Sequence, residues 1–123
     1  MLGGYLGKIL RIRLPREEAL VQELEEADLK RFLGGRGLAA KWYYEEIKPG
    51  TQPFSALNKL FFFTGPLTGV PLPSTTKFSV STKSLETGIY LCSNSGGDFG
   101  PQLKFCGLDG LIIEGRAERP TYL

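Results

Sequence analysis

The sequence predicts an α+β domain that is mainly β, and two apolar stretches support that prediction. Lys59–Thr64 holds the uninterrupted run Leu-Phe-Phe-Phe and is closed by Gly-Pro, which is typical of a strand buried on both faces of a sheet. Lys77–Lys83 alternates Phe, Val and Thr with Ser, Ser and Lys, which predicts a strand with one solvated face. A chain of 123 residues with 41% hydrophobic content is long enough for one domain, and we assign residues 1–123 to it.

The N-terminal segment is predicted to be a strand followed by a second short element. Gly7–Leu14 mixes basic and aliphatic residues as a half-buried strand does, with Lys8, Arg11 and Arg13 facing solvent. A proline turn follows. Ala19–Leu24 then returns either as the second strand of a hairpin or as the start of a helix, and the alternation and the proline favour the hairpin.

Two short helices are predicted next. Glu26–Leu33 has helical spacing and is followed by Gly34-Gly35, which we interpret as a glycine cap at its C-terminus. Leu38–Ile47 places Leu, Ala, Trp, Tyr and Ile on one amphipathic face and ends at Lys-Pro-Gly. Aromatic residues in such a pattern are more typical of core packing than of ligand stacking.

A glycine-rich stretch, Ser93–Pro101, joins the short predicted strand Ile89–Cys92 to a predicted helix that begins at Pro101 and is capped by Gly107. Glycine tolerates positive φ and lets a ligand approach main-chain N–H groups, and a helix starting directly afterwards would aim such donors at an anion. A phosphate-bearing ligand is one interpretation of this stretch, and a tight connection without a ligand is the other.

The sequence near the end of the chain predicts two further apolar strands. Leu111–Ile113 reads as a buried strand, and Thr121–Leu123 reads as the opening of another strand that stops after three residues. Natural domains seldom end on an apolar strand residue without a polar tail. We therefore expect the chain to be an incomplete domain.

Composition excludes several classes of function. The net charge is +2 and the basic residues are dispersed, so the sequence has no electrostatic footprint for nucleic acid. It has neither an apolar run long enough for a membrane span nor a targeting signal, so we expect a cytoplasmic protein without membrane attachment.

Cys92 and Cys106 lie fourteen positions apart and histidine is absent, so this chain cannot complete a zinc site, an iron–sulfur site or a Cys-His dyad. We predict reduced thiols and no catalytic or metal-ligating residue.

Three sequence blocks point to a known family. They are Gly34–Ala39 (Gly-Gly-Arg-Gly-Leu-Ala), Phe63–Gly69 (Phe-Thr-Gly-Pro-Leu-Thr-Gly) and Ser93–Phe105, which opens with Ser-Asn-Ser-Gly-Gly. Thr82–Ser84 and Gly107–Glu118 agree as well, so the likeness covers essentially the whole chain. In the order and spacing of these blocks, the chain resembles the N-terminal domain of the tungsten-containing aldehyde ferredoxin oxidoreductases.

The resemblance implies both a fold and an activity. The domain would contain two sheets related by an approximate twofold axis and would form a base under the cofactor. The full-length parent would oxidise aldehydes to carboxylic acids and pass electrons through a tungsten or molybdenum bis-pterin and a [4Fe–4S] cluster to ferredoxin. The cluster ligands, the second pterin-binding segment and the acid–base residues would lie in parts of the parent that this chain does not reach, so the chain alone would be inactive. The resemblance leaves open whether the parent forms a homodimer.

Five cofactor-binding residues are implied by the same resemblance. Asn94 and Gly96 correspond to positions that contact the pterin, and Ser95 and Gly97 belong to the same motif. Lys77 stands where the family usually has an arginine between cofactor and cluster, and lysine keeps the charge but lacks the planar guanidinium fork. On the residues alone, Asn94 also suits a local turn cap and Lys77 suits a solvated strand end.

Two functions of other classes stay open at this level. One is a non-redox binding module whose glycine loop holds a nucleotide or another phosphate compound. The other is a scaffold relative that keeps the fold but lacks the cofactor, which the lysine at position 77 mildly favours.

Overall fold

The computed structural model describes residues 3–16 and 18–122. In this part of the chain, six strands form one sheet in the order β2-β1-β6-β3-β4-β5, accompanied by three short helices. In chain order the elements are β1 (Lys8–Leu14), β2 (Glu18–Glu23), α1 (Glu26–Phe32), α2 (Gly35–Glu46), β3 (Lys59–Thr64), β4 (Phe78–Lys83), β5 (Tyr90–Ser95), α3 (Phe99–Phe105) and β6 (Gly110–Gly115). The mainly β α+β class is confirmed, and the described residues contain one sheet where the resemblance implied two.

Strand pairing is antiparallel except between β1 and β6. β1 and β2 form the hairpin that the alternation favoured, with Lys8 opposite Glu23 and Arg13 opposite Glu18. The chain returns to the middle of the sheet only at its last strand, since β6 lies between β1 and β3. The sheet is therefore completed by contacts between the two ends of the described chain.

The two faces of the sheet are covered unequally. α1 and α2 pack on one face and enclose a core that includes Ile9, Phe61 and Ile112, each fully buried. On the other face lies α3, whose Phe99 ring contacts Phe62 and Phe78 at centroid distances of 5.8 and 4.8 Å. The prediction that β3 is buried on both faces was wrong, because α3 covers only part of its second face and Leu60 is 39% exposed.

Polar residues of β1 and β4 also lie on the helix-covered face. Ser79 and Ser81 are buried beneath α2, so the small polar face of β4 is not its wet face. A Cβ atom at Gly35 would lie 3.2 Å from Ser79 Oγ, which indicates that small residues on both sides let the helix approach the strand closely. Arg11, predicted to face solvent, is only 6% exposed, since α2 brings a carboxylate over it.

The helix boundaries near Gly34 differ from prediction. α1 ends at Phe32, and its C-cap residue is Leu33, with φ of 63°, not a glycine. Gly34-Gly35 instead begins α2, three residues before the predicted start at Leu38. A Cβ atom at Gly34 would lie 2.7 Å from the carbonyl oxygen of Thr64, so this glycine lets the start of α2 touch the end of β3.

The turn within the glycine-rich stretch is shorter than predicted. β5 continues through Ser95, and α3 begins at Phe99, two residues before Pro101. Gly107 has φ of 84° and follows this helix, which confirms the predicted cap. Thr121 and Tyr122 are not in a strand, so that prediction was wrong for them, and Leu123 lies outside the described residues.

Candidate functional site

A cavity of about 360 Å³ lies at one end of the sheet, where β3 ends, β4 begins and α2 begins. Its walls include Gly34 and Gly35 at the start of α2, and Gly65, Pro66 and Thr68 after β3. Two of the three sequence blocks, which are far apart in the chain, therefore meet at one concave surface. The close approach at Gly34 is what brings them together.

The cavity has a positive electrostatic character. Lys77 is the one charged side chain among its lining residues, and it forms no ion pair with any described residue. The start of α2 also opens onto the cavity. This helix is 12 residues long, lacks a side-chain cap at Gly34 and has no acidic residue in its first turn. The N–H groups of Gly34 and Gly37 are bonded to backbone carbonyls, whereas those of Gly35 and Arg36 have no backbone acceptor among the described residues, and they and the lysine would favour an anion.

Asn94 lies beside this cavity in strand β5. Ser79, which lines the cavity, is its partner across the β4–β5 pair, and the Ser79 hydroxyl donates a hydrogen bond of 2.7 Å to Asn94 Oδ1. Asn94 therefore makes a cross-strand contact instead of capping a turn. Asn94 is exposed, and fixing its oxygen on Ser79 leaves the amide NH₂ available as a donor.

The other residues of the Asn-Ser-Gly-Gly motif are placed differently. Ser95 pairs with Phe78 and so lies on the opposite face of the sheet from Asn94. Gly97 requires its glycine because its φ is 90°, whereas a Cβ atom at Gly96 would make only an ordinary 3.6 Å contact with Thr76. The structure thus places Lys77 in the cavity wall and connects Asn94 to that wall through Ser79, and it leaves Ser95 on the other face.

The helix that faces the cavity is not the one the sequence suggested. α3 has only seven residues, and it starts directly after Asp98, whose carboxylate would repel an anion. The sequence predicted that main-chain N–H donors for an anion would lie at the helix start after the glycine-rich stretch. In the structure, the helix start that lines the cavity is that of α2. The sequence signal for this is the pair Gly34-Gly35, which the sequence pattern assigns to the end of the preceding helix.

A second cation near this cavity was missed by the sequence reasoning. Arg36 stands in the first turn of α2, and its carbonyl accepts a 3.4 Å hydrogen bond from the Tyr90 hydroxyl. Burial opposes ionisation of the Cys92 thiol, but hydrogen bonds with Ser81, Arg36 and Tyr90 outweigh burial and lower the pKa of this thiol. Arg36 was visible in the first sequence block, but nothing in the sequence linked it to Cys92.

The opposite end of the sheet carries a group of paired charges, which we call the ion cluster: Arg11, Arg13, Glu46, Lys59 and Glu114. Arg11 contacts Glu46 at 2.5 Å and Glu114 at 2.8 Å, and Lys59 contacts the same two carboxylates at 2.5 and 2.8 Å. Burial would raise the pKa of Glu114, but its bonds to Lys59 and Arg13 and the charge of Arg11 lower it to about 2. All the carboxylates of this cluster are paired, which is typical of a structural role.

Neither a metal centre nor a membrane span is found in the part of the chain that the structure describes. No three His, Cys, Asp or Glu side chains in residues 3–16 and 18–122 are grouped so that they could hold a metal ion. None of the described helices is long and apolar enough to cross a bilayer. Cys92 and Cys106 are both free thiols.

Comparison with known proteins gives consistent matches. The tungsten-containing aldehyde ferredoxin oxidoreductases of Pyrococcus abyssi and Pyrococcus furiosus are 46% and 42% identical to the chain over 120 residues, which is 98% of this chain. A WOR-like subunit of an aliphatic sulfonate oxidoreductase from Pyrococcus furiosus is 39% identical. The chain spans about 20% of the length of the aldehyde ferredoxin oxidoreductases.

A solved structure and a family model agree with these relatives. The active-site complex BamBC of benzoyl coenzyme A reductase matches with a TM-score of 0.93 and 31% identity, over 97% of this chain and 18% of that chain. The sequence model of the family described as aldehyde ferredoxin oxidoreductase, N-terminal domain, matches residues 9–123. Sequence, family model and fold therefore lead to one conclusion: the chain belongs to the aldehyde ferredoxin oxidoreductase family and represents its N-terminal domain.

Proposed function

We propose that this chain is the cofactor-cradling N-terminal part of a tungsten or molybdenum bis-pterin oxidoreductase that oxidises aldehydes to carboxylic acids with ferredoxin as electron acceptor. The observation that supports the proposal most is the meeting of two family sequence blocks, Gly34–Ala39 and Phe63–Gly69, at one positively charged cavity. Asn94, from the third block, is bonded to Ser79 in its wall.

The residues at this cavity fit the polar parts of a pterin. A pterin dithiolene carries a phosphate group and a polar ring edge, and when bound with its metal it supplies the two-electron redox chemistry. Lys77 and the N–H groups at the start of α2 would neutralise and bind the phosphate. The Asn94 amide would donate to the ring edge while Ser79 fixes its orientation. Gly96, at which a Cβ atom would meet only Thr76 at 3.6 Å, would let the ligand approach the main chain.

This chain would contribute one wall of the site and no proton-transfer group. Lys77 lines the cavity without an acidic partner, and the described residues offer no histidine or carboxylate there. We infer that the 123-residue chain binds the cofactor weakly and is inactive alone. Ligands for a [4Fe–4S] cluster, the ferredoxin-binding surface and any homodimer contact would come from the rest of a longer parent protein, which we place in the reducing cytoplasm.

The names of the relatives rank the substrate classes. The aldehyde ferredoxin oxidoreductases are 42–46% identical to this chain, whereas the sulfonate oxidoreductase subunit is 39% and the benzoyl coenzyme A reductase complex is 31% identical. The higher identities support an aldehyde. An oxidoreductase with the same cofactor and another substrate is the second candidate, and oxidation assays with aldehydes and with sulfonates would separate the two.

The proposal is tested by the content of the natively purified full-length protein. We expect about one tungsten or molybdenum atom and two pterins per polypeptide chain. Absence of both metals and of pterin would overturn the proposal. Titration calorimetry of that protein with nucleotides would then test the non-redox binding module, and a failure to bind either class would favour the scaffold.

A further inference from the structure

We propose that Thr68 is a positioning residue: its hydroxyl holds the main chain of Lys77 in place at the mouth of the cavity. The inference rests on the proposed function, since Lys77 is the charged residue that would meet the pterin. It adds a residue whose hydroxyl is bonded within the protein and which acts through the backbone of Lys77.

The Thr68 hydroxyl bridges the two strand ends that form the cavity. It accepts a 3.0 Å hydrogen bond from the Gly65 N–H and donates a 3.0 Å bond to the Lys77 carbonyl. Thr68 is only 8% exposed, so water cannot easily replace either bond. These bonds tie the loop after β3 to the residue before β4.

The position of these bonds explains why the cavity opens there. Thr64 and Phe78 are the last residues paired between β3 and β4, so Gly65 and Lys77 would form the next pair. The N–H of Thr64 points to the β6 side, where it bonds the Asp109 carbonyl, and the N–H of Gly65 therefore points to the β4 side. The Thr68 hydroxyl thus stands between two groups that would otherwise bond each other directly. The hydroxyl bonds both groups, so it connects the ends of β3 and β4 while holding them farther apart than a direct hydrogen bond would.

Thr68 also contacts the third segment of the candidate site. A Cβ atom at Gly100 would lie 3.1 Å from the Thr68 methyl carbon and 2.9 Å from the Thr76 carbonyl oxygen. Gly100 belongs to α3, which directly follows the Gly96-Gly97 turn. One buried side chain therefore touches the end of β3, the start of β4 and the helix after the motif.

Lys77 needs such a support because its own side chain has none. It is exposed and makes no ion pair with the described residues, so only the backbone can orient it. Fixing the carbonyl of a residue restricts the direction of its Cα–Cβ bond, and a cation that is held in place before binding loses less entropy when it binds a ligand. The Thr68 hydroxyl supplies this restriction.

The test compares variants of the full-length protein by pterin content per chain and by the rate of pterin release on dilution. Thr68→Val removes both bonds at nearly constant volume, and Thr68→Ser keeps them. We expect Thr68→Val to lower pterin content by about fivefold, because the loss of order at Lys77 should weaken binding about as much as the loss of one hydrogen bond would, and Thr68→Ser to stay within about twofold of wild type. Thr68→Ala removes the same hydroxyl and replaces Thr68→Val in the test if that variant does not accumulate.

A matched control separates positioning from stability. Ser84 is 4% exposed, and its hydroxyl accepts from the N–H groups of Glu86 and Thr87 in the turn after β4, far from the cavity. Ser84→Ala also removes a buried hydroxyl that bonds two backbone groups, so it should lower the melting temperature without lowering pterin content. Equal pterin loss in Ser84→Ala and Thr68→Val would overturn the inference.

A double-mutant cycle with Lys77→Ala tests whether Thr68 acts through that residue. If it does, Thr68→Val lowers pterin content much less in the Lys77→Ala background than in wild type. An undiminished effect would contradict the inference and leave the proposed function intact. A wild-type protein without pterin would instead overturn the proposed function itself, so the two failures are distinguishable.

Discussion

The two ends of the sheet use charge in opposite ways. At one end, the ion cluster places five charged side chains in contact, and each of its carboxylates is bonded to more than one cation. At the other end, Lys77 faces a cavity whose other lining residues are all uncharged: glycine, proline, small polar residues, leucine and phenylalanine. Paired charges hold the strands and α2 together, whereas the unpaired charge is free to meet a ligand.

The difference has a physical basis. A carboxylate near Lys77 would neutralise it and compete with an anionic ligand, so a binding end must leave its cation unpaired. At the ion cluster, Arg11 is only 6% exposed, and a buried cation without carboxylates would be costly. Variants at the two ends should therefore change different properties: stability at the ion cluster and cofactor content at the cavity.

The largest expected effect is at Arg11. Arg11→Met leaves the buried carboxylates of Glu46 and Glu114 with one cation fewer, which should lower the free energy of unfolding by about 3 kcal/mol. Arg13→Met is the matched control, because Arg13 also bonds Glu114 but its side chain is 49% exposed, and its loss should cost less than about 1 kcal/mol. Urea unfolding of the chain, followed by the fluorescence of Trp42, measures both. Equal losses would mean that burial does not set the strength of the cluster.

The same end of the sheet should make stability depend on pH. The pKa of Glu114 is lowered from 4.5 to about 2, so the folded state binds its proton less readily than the unfolded state. The stabilisation is present above about pH 4.5 and is lost as pH falls toward 2, with a size of at most about 3 kcal/mol. Glu46, whose pKa is also lowered, adds to the loss in the same direction. Unfolding measured from pH 6 to 3 should show a smaller loss in Glu114→Gln than in wild type, and identical slopes would contradict the assignment.

The sequence predicted the positions of the strands better than it predicted which of their faces are buried. The runs at Lys59–Thr64 and Phe78–Lys83 are strands because their local patterns favour strands, and no distant contact is needed to see that. Which face of a strand is buried depends on what packs there. Ser79 and Ser81 lie beneath α2 because a glycine at the start of that helix permits close contact, and this depends on a helix 33 or more residues away in the chain.

The candidate site shows the same limit. Asn94 and Lys77 were chosen through the family resemblance; Lys77 lines the cavity, and Asn94 contacts the lining residue Ser79. Their binding of a cofactor stays a prediction. The role of Gly34-Gly35 was misread, because a glycine pair suits the end of one helix as well as the start of the next. Arg36 and Thr68 were not selected, since only the folded chain brings them beside Cys92 and between Gly65 and Lys77.

At the cavity end, Lys77→Ala should lower cofactor content without lowering stability. Loss of a charge-assisted bond to a phosphate should reduce pterin content of the full-length protein by about tenfold. The free energy of unfolding of the chain should change by less than about 0.5 kcal/mol, because the side chain is exposed and unpaired. Lys77→Arg restores the charge and adds a second donor, so it should keep or raise the content. Lys83→Ala, at the other end of the same strand, is the control and should leave the pterin content unchanged.

The smallest expected effect is at Asn94, and it is also the most specific. Asn94→Ala should reduce pterin content by about fivefold while changing stability little, since the strand and its backbone pairing remain. Asn94→Asp is more informative, because a carboxylate can still accept the hydrogen bond from Ser79 but has no NH₂ group to donate to a pterin ring. If Asn94 serves only its strand, Asn94→Asp retains the cofactor; if it faces the pterin, Asn94→Asp loses at least as much as Asn94→Ala. Pterin fluorescence after release from the purified full-length variants decides between these outcomes.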